Sequence, residues 1–157
     1  MSGFDATDMQ LLDLLQEDDR QSLAVLSEKL GVPASTLNDR IRRLVKQGAV
    51  TGFHAHCSAE ELGLDLLAFV FVGWTDSAVE EPFLMRVAQE RSIQECHHVT
   101  GAWNYLLKVR LKNTKDLERF LGDVIKKVTG VQRTETIIVL SSAKETFALD
   151  TTGLPDA

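Results

Sequence analysis

Apolar positions recur at helical spacing three times in the first fifty residues. Met9, Leu11, Leu12 and Leu15 form a stripe over 6–16, opened by an Asp5-x-x-Asp8 pair of the capping type. Ser22 can cap a second stripe, Leu23, Leu26 and Leu30, which Gly31 closes. Pro33 suits the first position of a third helix with Leu37, Ile41, Leu44 and Val45 on its apolar side. Three short helices, with a turn at Gly31-Val32-Pro33 between the last two, give a helix-turn-helix. The third helix turns Ser35, Thr36, Asn38, Asp39, Arg42, Arg43 and Lys46 toward solvent.

Beyond Gly48 the pattern changes. Val50 to His56 reads as a strand and Ser58 to Gly63 as a turn of helix, a structured connector without the composition of a floppy linker. Leu66 to Trp74, rich in aromatic and β-branched residues, reads as a strand. Val79 to Glu90 places Val79, Phe83, Leu84, Val87 and Ala88 at helical spacing. Ile93 to Thr100 and Trp103 to Leu111 are expected as strands joined by a two-residue hairpin at Gly101-Ala102. Lys115 to Val128 is strongly amphipathic and ends at Gly130; Val131 to Leu140 is a last strand. The order βαββαβ is the ferredoxin-like plan. The expected class is α+β: a three-helix winged helix-turn-helix domain over 1–50, a hinge over 51–64, and a ferredoxin-like domain over 65–157 that binds ligand and oligomerises. Such a sheet carries helices on one face only. Leu66 to Trp74 is apolar on both faces, so a homodimer through the uncovered face is expected.

Composition narrows the class. With 157 residues, 44% hydrophobic and 25% charged, the chain is an ordinary globular one, and no apolar run reaches the ~20 residues of a membrane span. Its opening, Met1-Ser2-Gly3-Phe4-Asp5, has neither a basic start nor an apolar stretch, so no export signal is expected. Two cysteines, Cys57 and Cys96, fit a reducing cytoplasm. The net charge of −6 argues against a general nucleic-acid coat, yet it is unevenly spread. Residues 1–28 carry one basic and seven acidic side chains; residues 29–46 carry five basic ones and a single acid. The basic island is the third helix, with polar residues first and cations behind. A recognition helix needs that order, because its N-terminal residues touch base edges while Arg and Lys neutralise phosphates. Arg40 is divided between a phosphate contact and a structural role, its stem covering apolar surface.

Histidines and cysteines cluster at His54-x-His56-Cys57 and Cys96-His97-His98, but His97 and His98 are neighbours on a strand and point to opposite faces. No metal site and no cofactor are expected. Phosphate-loop, Gly-x-Ser-x-Gly and His-Glu-x-x-His motifs are absent, so the chain is not expected to be an enzyme.

Three stretches carry a family likeness. Arg40-Ile41-Arg42-Arg43-Leu44 followed by Gly48-Ala49-Val50-Thr51-Gly52-Phe53, Glu61-Leu62-Gly63-Leu64 before Ala68-Phe69-Val70, and Val99-Thr100-Gly101-Ala102-Trp103-Asn104-Tyr105-Leu106-Leu107 stand in the order found in Lrp/AsnC regulators. The chain resembles that family over nearly its whole length. The resemblance implies a cytoplasmic, nucleoid-associated transcriptional regulator that binds double-stranded DNA in a sequence-specific way, forms homodimers that assemble further to octamers, and responds to a small effector, an amino acid in known members. It places the effector at Gly101, Ala102, Trp103, Asn104, Tyr105 and Leu106, with Thr134 and Thr136 nearby. Asn104 and Asn113 replace the usual Asp of the family, which weakens the pairing available to an α-ammonium. Pro33 replaces the usual Ser cap, and Asp39 adds an acid to the DNA side. An alternative follows from those departures: an effector-binding assembly module that acts on protein partners with weak or lost DNA binding.

Overall fold

Helix α1, Ala6–Glu17, begins where Asp5 and Asp8 close a capping box. The Asp8 N–H donates to the Asp5 carboxylate at 2.9 Å, and the Asp5 N–H donates to Asp8 at 3.1 Å. Two N–H groups that the first turn leaves over are thereby satisfied. In α2, Leu23–Leu30, Ser22 Oγ accepts the Val25 N–H, and Gly31 ends the helix at φ 65°, a left-handed conformation natural to glycine. Helix α3, Ala34–Lys46, starts after Pro33 with no side-chain cap, as the replaced Ser predicts. Leu11, Leu26, Leu37 and Leu44 are fully or almost fully buried and form the core of the three helices, joined by Phe4, Ile41 and Val50.

The structure, a computed structural model, describes residues 3–152. It divides into two units: the residues up to His56 together with those from Lys144 onward, and Cys57–Ala143. Within the first unit, the last described residues run beside α1. The Leu149 N–H donates to Gln16 Oε1 at 2.7 Å, and Gln16 Nε2 donates back to the Leu149 carbonyl at 3.1 Å. Thr151, itself buried, donates its hydroxyl to Asp13, and the Phe147 ring stacks on His56.

In the second unit, β1 (Leu66–Gly73), β2 (Ile93–His98), β3 (Tyr105–Leu111) and β4 (Arg133–Ile138) form one antiparallel sheet in the order β2-β3-β1-β4. Helix α4 (Glu80–Gln89) follows β1, and α5 (Thr114–Phe120) follows β3. This is the ferredoxin-like arrangement. Val70 and Val72 of β1 stand opposite Leu107 and Tyr105 on one side and Thr136 and Thr134 on the other. That face packs against Phe83 of α4 and against Leu117, Phe120, Val124 and Ile125. Phe69, Phe71, Leu106 and Ile137 lie on the opposite face by the alternation of strand side chains.

Three local expectations change. Residues 50–56 form no strand, because no segment of the described chain offers them the ladder partner that a strand requires. The two-residue hairpin is a longer loop, since the strands end at His98 and resume at Tyr105, with the Val99 N–H donating to the Asn104 carbonyl at 3.0 Å. The helix read over 115–128 stops at Phe120 and widens into a π turn over Leu121–Ile125, where the Lys126 N–H donates to the Leu121 carbonyl at 2.9 Å. Asn113 is the N-cap of α5 and accepts the Asp116 N–H at 3.0 Å, a structural task.

Candidate DNA-reading helix and hairpin site

Burial of Leu37 and Leu44 fixes which side of α3 faces out. Ser35, Thr36, Asp39, Arg42, Arg43 and Lys46 are exposed and Asn38 is half-buried. All seven residues expected at the DNA surface thus share the side of α3 that the helical core leaves free.

Two cations of that helix are held internally. Asp8 is fully buried, and its two carboxylate oxygens take one arginine each. Arg40 Nη1 donates to Asp8 Oδ1 at 2.8 Å and to Asp5 at 2.7 Å, while Arg43 Nη2 donates to Asp8 Oδ2. The hydrogen bond from Arg40 holds the Asp5 carboxyl below its ordinary range. Arg40 is therefore structural. Arg43 combines an exposed position with an internal ion pair, and Arg42 and Lys46 are the two remaining exposed cations of α3.

The hairpin residues separate onto different surfaces. Asn104 closes the sheet end: its Oδ1 accepts the Trp74 N–H at 2.9 Å, and its own N–H donates to the Val72 carbonyl at 3.0 Å. One lone pair of the Asn104 amide oxygen is thus taken by the Trp74 N–H. Gly101 and Ala102 are exposed. Trp103 lies 5.9 Å from Phe71, ring to ring, and so belongs with Leu106 on the face without helices. Tyr105 points the other way into the core, between Trp74 and Phe83. Thr134 and Thr136 share the helix-side face with Val72 and Val70, so the register separates them from Trp103.

Arg133 and Glu135, missed by the sequence reading, occupy the Trp103 side instead. The Arg133 guanidinium lies 4.6 Å from the Trp103 ring centre and donates to the Ala102 carbonyl. Gly73 makes this possible: a Cβ there would come within 2.7 Å of Arg133 Nε. The available signal was the period of two in Arg133-x-Glu135-x-Ile137, which alternates with Thr134-x-Thr136.

Tyr105 is the only tyrosine in the chain. Its hydroxyl donates to Glu80 at 2.6 Å, and that bond, with burial, pushes its pKa up to about 12. Because the folded value lies above the unfolded one, about 10, the stabilisation is complete below pH ~10 and is lost as pH rises toward about 12. Near-ultraviolet titration is expected to show tyrosinate appearing near pH 12 in the folded protein and near pH 10 in urea. Coincident curves would contradict the bond.

Among the described residues no group of three His, Cys, Asp or Glu could hold a metal. His97 pairs with Glu95 at 3.1 Å, and burial raises the Cys96 thiol pKa.

A helix-turn-helix with an outward basic row, carried on one chain with a ferredoxin-like sheet and its hairpin, defines a two-part regulator: one part for DNA, the other for a small ligand. Residues 4–51 match the winged helix-turn-helix DNA-binding family, and residues 67–149 match the Lrp/AsnC ligand binding domain. The chain belongs to the Lrp/AsnC family of transcriptional regulators. It is 37% identical over 145 residues to the proline dehydrogenase transcriptional activator of Rhizobium radiobacter, covering 90% of this chain and 92% of that protein. It is 34% identical over 147 residues to the leucine-responsive regulatory protein of Escherichia coli, covering 92% and 90% respectively. A transcriptional regulator from Neisseria meningitidis solved with L-Met superposes with a TM-score of 0.91 at 29% identity, over 95% of this chain and 97% of that one. Among the described residues no helix is long and apolar enough to cross a membrane.

Proposed function

We propose that the chain works in the cytoplasm, on the nucleoid, as a homodimer that lays two copies of α3 into successive major grooves and responds to an amino acid held near the Gly101 to Leu106 hairpin. The observation that carries the DNA reading is α3 itself. Its buried Leu37 and Leu44 turn a polar tip and a cationic rear outward from a unit that matches a DNA-binding family. Ser35, Thr36, Asn38 and Asp39 read base edges; Arg42, Lys46 and Arg43 contact phosphate, Arg43 with only part of its charge free of Asp8. The face of the sheet without helices supplies the dimer contact, with Phe69, Leu106 and Ile137 apolar on it. Two half-sites about 34 Å apart, or a multiple of it, match such a dimer. Assembly of dimers into octamers extends the same reading, and effector binding shifts it by a coupling of about 1–3 kcal/mol.

The test is binding to a duplex selected by the protein from a random library, followed across salt concentrations. Arg42→Ala and Lys46→Ala are each expected to weaken binding on every sequence and to make the log–log salt slope shallower by about 1. Asn38→Ala should change preference among sequences. An equal loss on all sequences for Asn38→Ala would remove its base-reading role.

The internal pairing of Arg40 and Arg43 with Asp8 favours one second reading, an assembly module acting on protein partners, because it lowers the cationic charge left for DNA. That reading expects no salt-sensitive retardation of DNA at all.

A further inference from the structure

We propose that Arg133 and Glu135 form the zwitterion clamp of the effector site, Arg133 taking the α-carboxylate and Glu135 the α-ammonium of an amino acid whose side chain packs on Phe71 and Trp103. The inference rests on the amino-acid reading above and says how this chain meets the chemistry that Asn104 does not.

An α-amino acid needs an anion and a cation close together, beside an apolar surface. At the hairpin end of the sheet the register supplies all three on one face. Arg133 stands opposite Gly73 and Glu135 opposite Phe71. Their separation along one side of β4 is about 6.6 Å, two strand residues, so a zwitterion placed between them reaches each with a hydrogen bond. Both side chains are exposed on the edge strand, where a ligand can enter at the rim of the dimer face.

Arg133 is preorganised for the carboxylate. Its guanidinium lies over the Trp103 ring and donates one N–H to the Ala102 carbonyl, leaving further donors for a planar anion. The bare Cα of Gly73 lets the side chain lie flat against the sheet. Asn104 adds to this polarity. Its N–H₂ group is a donor that suits a carboxylate, while its neutral Oδ1, already accepting the Trp74 N–H, offers an ammonium less than a carboxylate would. Glu135, on β4 across β1 from the hairpin strand, supplies the full negative charge that Asn104 lacks.

The full-length protein is first screened by thermal shift against the twenty L-amino acids. For each that raises Tm, calorimetric Kd values are measured for the amino acid, its primary amide and its 2-oxo acid. Wild type, Arg133→Gln, Arg133→Lys and Glu135→Gln are compared. The amide is expected to bind wild type at least tenfold more weakly than the acid. Arg133→Gln should weaken the amino acid and the 2-oxo acid alike by about tenfold or more, and Arg133→Lys should recover part of it. Glu135→Gln should weaken the amino acid about tenfold and leave the 2-oxo acid no weaker. Amino-acid affinities within twofold of wild type in both Arg133→Gln and Glu135→Gln overturn the clamp alone. So does a Glu135→Gln loss that is equal for the two ligand types. If no amino acid binds wild type, the effector reading falls and the clamp with it.

Discussion

In an Asp8→Ala variant the thermal transition of the helical unit is expected to fall by roughly 12–24 °C, monitored by helical circular dichroism. Asp8 has no exposed side-chain surface, and removing it leaves two arginines without their shared anion. Breaking a buried ion pair on one side costs about 3–5 kcal/mol, and the lower value applies because Arg40 and Arg43 keep 23% and 43% of their side chains in water. In a domain of this size, about 3 kcal/mol moves Tm by that range. The capping bond to the Asp5 N–H is lost as well. Asp5→Ala should cost about 1 kcal/mol, the usual value of a cap, since its side chain is half exposed. Equal shifts for the two variants would show that burial of Asp8 is not what anchors α1 to α3.

Phe69→Asp is expected to convert the protein to a monomer, with its mass by light scattering falling to that of a single chain at micromolar concentration. Phe69 stands between Lys108 and Ile137 on the face without helices and outside the buried core, so the substitution spares the fold while placing a charge at the proposed dimer contact. Affinity for DNA with two half-sites should drop by about 10²–10⁴, the avidity lost when two reading units are no longer joined. Binding to a single half-site should stay unchanged. A dimer that survives Phe69→Asp would move the contact to another surface.

The fold was legible where the determinants are local. Stripes such as Leu23, Leu26 and Leu30, closed by Gly31, fix a helix within ten residues of chain, and α1 to α3 follow the expected spans to within a residue or two. The Asp5-x-x-Asp8 box was legible for the same reason. Its second role was not. Arg40 and Arg43 lie 32 and 35 residues away from Asp8, and only the matched spacing of two acids and two arginines, each pair three apart, hinted at the pairing. Strand faces posed the opposite difficulty. β4 alternates threonines with Arg133, Glu135 and Ile137, so neither set is marked as the inner one until β1 fixes the register. It was the family likeness, not the strand pattern, that put Thr134 and Thr136 beside the hairpin. Val50 to His56 has the composition of a strand, and composition says nothing of whether a partner is present.

The stretch from Lys144 onward has a bearing on synthesis. Gln16 and Asp13 belong to α1, yet the groups they bond, Leu149 and Thr151, are made 133 and 138 residues later. The whole ferredoxin-like unit must be translated before the helical one acquires those bonds. A fragment cut after the hinge would therefore present α1 with its Gln16 amide and Asp13 carboxylate returned to water, and amide exchange along α1 should be faster in it than in the intact chain.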